Sequence, residues 1–250
     1  HPQKHDISME HVDFSYDSKP ILKNVSVTIP DKTTTAIVGP SGSGKTTLCN
    51  LIARFWDVDH GSIRIGDADV REYTLESLME QISMVFQKVY LFADTIENNI
   101  KFGRPYATHE QVVEAARKAC CHEFIEALPD GYNTVIGEGG ATLSGGEKQR
   151  ISIARAILKD SPIIIFDEAT ANVDPENEDK LQKAMEELMR DKTIIMIAHR
   201  LKTVQKADQI LVLDDGAIVQ RGTHAQLSEK PGLYRDFLNA RKEAAGWKLS

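Results

Sequence analysis

Hydrophobic and polar positions change rhythm several times along this 250-residue chain, and each change predicts an element. Ile7 and Met9 alternate with polar neighbours, and Val12, Phe14 and Tyr16 then alternate in the opposite phase. A slip of one residue at Glu10-His11 is what a bulge between two half-strands produces. Asp17-Ser18-Lys19-Pro20 is turn chemistry, and Val25, Val27 and Ile29 restore a period of two. Gly61 to Gly66 adds a short strand, so residues 1–35 and 61–72 are expected to form antiparallel sheet. Between them, Thr35-Ala36-Ile37-Val38 predicts a short buried strand. Lys45 to Phe55 predicts a helix, with Leu48, Leu51, Ile52 and Phe55 at i, i+3, i+4 and i+7.

Further along, a short helix over Leu75–Gln81 leads into a strand over Ile82–Phe86 that delivers Gln87. From Thr95 to about Leu128 the pattern is mainly helical, with Val112, Val113, Ala116 and Ala119 on one side. Pro129-Asp130-Gly131-Tyr132 ends that section as a turn. Residues 88–158 therefore read as a helical insertion in an otherwise α/β domain. Ile163–Phe166 is the kind of apolar run found in central parallel strands covered on both faces. Asp174-Pro175 is a helix start, with Asp at the N-cap and Pro at the first helical position. Leu181, Ala184, Met185 and Leu188 mark the buried face of that helix. Thr193–Ala198 predicts a second central strand ending at His199. Ile210–Leu213, Asp214-Asp215-Gly216 and Ala217–Val219 predict a hairpin. The tail from Gly232 is helical and charged, ending in an exposed Gly246-Trp247-Lys248, and no internal repeat occurs. The fold class expected is α/β, a mainly parallel sheet flanked by helices, as one domain over residues 1–250.

Composition narrows the picture. A formal net charge of −7 argues against a general nucleic-acid binder, which shows a basic face. Cys49, Cys120 and Cys121 have no metal-ligand spacing and form no disulfide framework, so a reducing setting is expected, with the adjacent pair filling a helix. No apolar run approaches the ~20 residues that cross a bilayer, and the polar His1-Pro2-Gln3-Lys4-His5 is not a signal peptide. The missing initial Met suggests a fragment or a processed product.

The chemistry is concentrated in a few motifs. Gly39-Pro40-Ser41-Gly42-Ser43-Gly44-Lys45-Thr46-Thr47 fits G-x-x-x-x-G-K-[ST], a loop whose backbone N–H groups wrap around nucleotide phosphates. Its setting, strand before and helix after, is that of a P-loop NTPase core. The glycines allow close backbone approach, and the helix start behind them favours negative charge. Lys45 is expected to reach the β- and γ-phosphates and the Thr46 hydroxyl to hold Mg²⁺. Hydrolysis also needs a carboxylate for the metal and a group to orient water. Asp167, at the end of the apolar strand, is placed for Mg²⁺, and Glu168 could accept a proton from the lytic water. Leu143-Ser144-Gly145-Gly146-Glu147-Lys148-Gln149-Arg150 precedes Ile151, Ala154 and Ile157 at helical spacing. Ser-Gly-Gly opening a helix is a second anion site.

Taken together, these segments closely resemble the ATP-binding cassette family from Tyr16 to about Tyr234. Leu143 to Glu147 resembles its signature motif, with Glu147 where Gln is commoner. The resemblance implies that Tyr16 stacks on adenine and that Gly39–Thr47 and Ile163–Asp167 are the Walker A and Walker B segments. It implies further that Gln87 reaches Mg²⁺ or the lytic water and reports to a transmembrane partner. Glu168 matches the catalytic glutamate, and His199 the histidine that contacts the γ-phosphate. Thr170–Asp174 matches the D-loop, although Asn172-Val173-Asp174 departs from the usual Ser-Ala-Leu-Asp. The implied mechanism is a head-to-tail pair of domains, homo- or heterodimeric. ATP is held between the phosphate loop of one and Ser144-Gly145-Gly146, with Glu147, of the other.

Gly137-Glu138-Gly139-Gly140 and Asp94–Ile100 resemble exporter segments, the former touching transmembrane helices. An ATPase domain at the cytoplasmic face of a membrane, bound to transmembrane domains and not to nucleic acid, is the expectation. A separate ATPase subunit of an importer is the alternative. Translation or DNA-repair cassettes are disfavoured, because no tandem cassette, long heptad run or basic arm is present.

Overall fold

The computed structural model describes residues 2–86, 88–137, 141–168 and 175–247. Strands β1 (Ile7–Tyr16), β2 (Lys19–Ile29) and β3 (Thr34–Val38) lead into helix α1 (Lys45–Ile52). Strands β4 (His60–Ile65) and β5 (Ala68–Asp69) come before α2 (Leu75–Gln81) and β6 (Ile82–Val85). A mostly helical section follows: β7 (Asp94–Thr95), α3 (Ile96–Lys101), α4 (His109–Lys118), α5 (His122–Glu126) and β8 (Val135–Ile136). Next are α6 (Gly145–Lys159), β9 (Ile163–Asp167), α7 (Pro175–Met189), β10 (Thr193–Ile197) and α8 (Leu201–Lys206). The hairpin β11 (Gln209–Asp214) and β12 (Ala217–Gly222) precedes α9 (His224–Glu229) and α10 (Leu233–Trp247). The chain gathers into two compact units, His1–Met79 with Thr193–Ser250, and Glu80–Lys192. The fold class is α/β, with parallel strands flanked by helices and an antiparallel sheet at the N-terminus.

In the first unit, β2, β1, β4 and β5 pair antiparallel in that order. The slip predicted at Glu10-His11 is present: the β1–β2 register shifts between Met9 and Val12, and His11 takes φ +48°. The extra residue keeps Ile7, Met9, Val12 and Phe14 all buried on one face. Gly61 opposite it has φ +83°, and a Cβ there would lie 2.3 Å from the His11 carbonyl oxygen. Strand β3 is central to the other sheet, paired parallel with β10 on one side and with β11 on the other. Ala36, Ile37 and Val38 are accordingly buried. The β11–β12 turn carries positive φ at both Asp215 (+46°) and Gly216 (+78°), the twist that a two-residue hairpin turn requires.

Helix α1 stops earlier than its periodicity predicts. Arg54 adopts φ +57°, and the Phe55 and Arg54 amides donate to the Asn50 and Leu51 carbonyls at 2.9 and 3.1 Å. This is a Schellman ending, which turns Phe55 outward to 55% exposure instead of into the core.

In the second unit β6 and β9 pair parallel, and α6 packs against α3, α4 and α7. The strand expected over Ile82–Phe86 ends at Val85, and Phe86 is 48% exposed. The buried face of α4 is Val112, Ala115 and Ala116, continued by Ala119; Val113, one step round the helix, is only half-buried. Helix α6 is buried more widely than Ile151 and Ala154 alone, through Gln149, Arg150, Ile153, Ala156 and Leu158, whereas Ile157 is half-buried. Ala184, Met185 and Leu188 are the buried stripe of α7. Cys120 and Cys121 do not lie within a helix but at the α4–α5 junction, where Cys120 has φ +57°. Burial pushes the Cys121 thiol far above its usual range, so it stays protonated. The two-residue pair β7–β8 was not predicted, because strands so short carry no periodicity.

A polar node fastens this unit. Asn99 is fully buried; its side chain accepts from the Phe92 amide (2.8 Å) and donates to the Phe92 (3.1 Å) and Thr95 (2.9 Å) carbonyls. Arg155 of α6 donates to the Asn99 carbonyl at 2.7 Å and to the Tyr90 carbonyl at 2.9 Å. Its guanidinium lies 5.5 Å from the Phe92 ring and 5.7 Å from the Phe102 ring. Burial pulls its pKa below the ordinary value, but an arginine remains charged, so the neighbouring carbonyls and ring faces replace the water it gave up. Replacing Asn99 by Ala strands these buried backbone groups. The expected loss is about 2 kcal/mol of unfolding free energy in urea melts. A change below about 0.5 kcal/mol, the size of an ordinary surface substitution, would mean the node does not hold the segment.

Candidate functional site

In the first unit the residues expected to act gather at the carboxyl edge of β3. The chain leaves β3 at Gly39, where a Cβ would lie only 2.2 Å from the Leu213 carbonyl oxygen of β11 and 2.9 Å from Ser43 Oγ. The Gly216 amide donates to the Ser43 carbonyl at 3.0 Å, and the Lys23 amide to the Gly216 carbonyl at 2.9 Å. The loop is thus braced from behind by backbone. Its front is exposed at Ser41, Gly42 and Thr46, and among the described residues beyond its chain neighbours no heavy atom lies within 4 Å of a Cβ built on Gly42.

Helix α1 begins at Gly44 (φ +105°) with no side-chain cap and no acidic residue in its first turn. Its first amides therefore point into the loop with no carboxylate or hydroxyl cap, an arrangement that suits an anion. Lys45 Nζ donates to the Gly39 (2.6 Å) and Pro40 (3.0 Å) carbonyls, which draws the cation across the same concavity. Ser43 Oγ is buried and has no hydrogen-bond partner among the described residues. A buried hydroxyl so placed calls for a polar ligand. Amides, ammonium and a spare hydroxyl form a donor set that fits a polyphosphate.

Tyr16, at the end of β1, stands beside this loop and accepts from Thr47 Oγ1 at 3.5 Å. Its ring meets Phe14 edge-on at 4.8 Å and Trp56 edge-on at 5.6 Å between centroids. His199 leaves β10 at the same edge as the loop leaves β3, since Ile197 is in register with Ile37. Its backbone carbonyl accepts from Arg241 of α10. In the second unit, Ile163–Phe166 are buried in β9, Asp167 ends the strand half-buried, and Glu168 follows at 7% exposure.

Helix α6 starts differently from α1. Ser144 is its N-cap: the hydroxyl accepts from the Glu147 amide at 3.2 Å, while Glu147 Oε1 accepts from the Ser144 amide at 2.9 Å. Glu147 thus closes a capping box, for which a carboxylate serves as well as an amide. Gly145 is open, and a Cβ on Gly146 would touch Asn177 at 3.5 Å. Arg150 donates to the Cys120 carbonyl (2.6 Å) and to Asn177 (3.3 Å), and stacks on Phe124 at 5.1 Å. It ties the first turns of α6 to α7.

Gln87, Glu138 to Gly140, and the whole segment Thr170–Asp174 lie outside the described residues. Gly137 is described: φ is +101°, and a Cβ there would lie 2.9 Å from Ala93 Cα. Trp56 and Arg241 were not singled out by sequence, and Phe14, Gly216 and Arg150 were read only as parts of a strand, a turn and a motif. Phe14 and Trp56 had a weak signal, two aromatics at i and i+2 on β1 and a third just past α1. Gly216 carried its turn signal but no trace of its bond to Ser43, and Arg150 and Arg241 act through partners more than a dozen residues away and left none.

Among the described residues no helix is long and apolar enough to cross a membrane, and no group of His, Cys, Asp and Glu side chains could hold a metal ion. The family model described as ABC transporter matches residues 22–171. The chain is 49% identical over 235 residues to an ATP-dependent lipid A-core flippase of Vibrio vulnificus (strain YJ016), covering 92% of this chain and 40% of that protein. A protein of the same description from Escherichia coli (strain K12) is 50% identical over 232 residues, with the same coverage of 92% and 40%. The chain thus spans 40% of the length of the curated relatives it matches. A solved structure of a bacterial Atm1-family ABC exporter with ATP bound has a TM-score of 0.89 and 40% identity, over 96% of this chain and 42% of that one. With the phosphate loop, both strands behind it and the signature helix start inside regions so matched, the chain belongs to the ABC transporter family.

Proposed function

We propose that this chain is the ATP-hydrolysing domain of an exporter-type ABC transporter, working at the cytoplasmic face of a membrane beside transmembrane domains. The observation that carries the reading is the uncapped start of α1. Bare amides, the Lys45 ammonium and the Ser43 hydroxyl, unpartnered among the described residues, come together at that loop. The exporter class, and not an importer subunit, is supported by relatives described as lipid A-core flippases and by the likeness to an Atm1-family exporter.

The roles follow from the chemistry of each group. The loop amides and Lys45 take up the phosphates, and Lys45 exchanges two neutral carbonyl acceptors for charged oxygens. Tyr16, whose ring stands nearly perpendicular to those of Phe14 and Trp56, stacks on the adenine. Thr46, Asp167 and Gln87 would hold Mg²⁺, which neutralises charge on the phosphates when bound. Glu168 takes the proton from the attacking water, and His199 and Gln87 position groups around the γ-phosphate. Ser144, Gly145, Gly146 and Glu147 close over the nucleotide of a second copy or a paralogous partner domain. Between two copies that interface is isologous, and its affinity rises with bound ATP.

Glu168→Gln keeps shape and packing but removes the base. Phosphate release is expected to fall by about 100-fold or more while ATP binding persists, with an ATP-trapped dimer on size exclusion. Normal turnover in this variant would remove Glu168 from the mechanism. Tyr16→Ala is expected to weaken ATP binding by about 1–2 kcal/mol and leave tripolyphosphate binding unchanged. Trp56, whose ring centroid is 5.6 Å from that of Tyr16, supplies a fluorescence readout. Equal losses for both ligands would rule out stacking on the base.

A further inference from the structure

We propose that Arg241 of α10 is a positioning residue for His199, so that the C-terminal helix sets the geometry of the histidine. The inference rests on the reading above that His199 acts at the γ-phosphate.

The helix is built to reach that point. Tyr234, Leu238 and Arg241 recur at i, i+4 and i+7, one stripe of α10. Tyr234 and Leu238 are buried in a cluster with Ala198, Val204, Ala207 and Leu227, which sets the stripe against the segment that carries His199. Two polar contacts fix the start of α10: the Tyr234 amide donates to Gln220 Oε1 at 3.0 Å, and the Tyr234 hydroxyl contacts His224 Nδ1 at 2.7 Å. One turn beyond Leu238, the Arg241 guanidinium stacks on Phe237 at 4.4 Å and donates to the His199 backbone carbonyl.

The tie matters because of where His199 sits. Before it, the Ala198 amide is held by the Ile37 carbonyl of β3 at 3.0 Å. After it, α8 begins at Leu201 with Arg200 as its N-cap. The peptide carrying His199 is therefore bracketed by a sheet bond on one side and the Arg241 bond on the other. A charge-assisted bond to that carbonyl limits rotation of the peptide plane and hence the direction in which the imidazole projects. Arg241 itself touches no reacting atom.

The test uses the whole chain with histidine ring ¹³C labels. Its eight histidines include His224, whose contact with Tyr234 reports independently on whether α10 stays docked. Arg241→Ala is expected to lower kcat about tenfold at unchanged KM. It should also move the His199 ring signals while those of His224 stay in place, and Arg241→Lys should recover most of the rate. Full kcat in Arg241→Ala overturns the inference. So does a joint movement of the His199 and His224 signals or a raised KM, since either shows a general loosening of the helix. If the Ala variant does not fold, Arg241→Lys is read by the same signals, and unchanged His199 signals with altered kcat overturn the inference. Should His199→Ala hydrolyse ATP at full rate, the role given to His199 falls and this inference with it. An inactive His199→Ala beside a fully active Arg241→Ala sinks the inference alone.

Discussion

The phosphate loop depends on backbone packed against backbone. Gly39 passes within contact of the Leu213 carbonyl, and Gly216 is wedged where a Cβ would lie 2.2 Å from the Ile21 carbonyl oxygen. The Gly216 amide then holds the Ser43 carbonyl. A loop whose amides must face a ligand cannot also use them to hold itself in place. Its carbonyls and Cα atoms must be gripped from behind, and only glycine permits an approach this close. The β11–β12 turn supplies that grip, and its positive φ at Asp215 and Gly216 is part of the same solution.

Two helix starts illustrate how local chemistry decides what a terminus can do. Helix α1 opens on Gly44 with nothing acidic in its first turn, so the positive end of the helix is available. Helix α6 opens on Ser144 with a complete capping box closed by Glu147. The box stabilises the helix and uses the Ser144 amide, and the carboxylate makes that terminus less attractive to an anion. The Gly145 amide, beside a position with open space around it, is what α6 still presents. Behind that start, Arg150 joins α6 to Asn177 of α7 and to the Cys120 turn, with no acidic hydrogen-bond partner among the described residues. Its neighbour along the helix, Arg155, does the same for the segment Tyr90–Asn99. Both arginines act as multi-pronged donors to backbone and amide oxygens, a use that the planar guanidinium suits better than a lysine would.

Much of this was legible in residue order because the signals are local. The bulge at His11, strand β3, the hairpin turn at Asp215-Gly216 and the placement of Pro175 all follow from periodicity and turn chemistry within a few residues. So did the elements bearing Lys45, Asp167, Glu168 and His199. The misses have different local causes. Phe55 has the right spacing for the buried face of α1, but a left-handed Arg54 ends the helix first, and no glycine marks the spot. Val113 lies next to the buried stripe of α4, and a one-residue step of about 100° is enough to leave it half-buried.

By itself, the order of residues determined the elements, the strand-loop-helix that forms the phosphate cradle, and the chemical groups placed at strand ends. These are short-range matters of sterics, capping and alternation. Tertiary structure alone decided what holds those groups still. Trp56 and Phe14 close on Tyr16, Gly216 reaches Ser43, and Arg241 reaches the carbonyl of His199. The physical reason is separation along the chain. A contact between residues 42 positions apart, as for His199 and Arg241, leaves no periodic trace, because neither residue needs a special neighbour to make it.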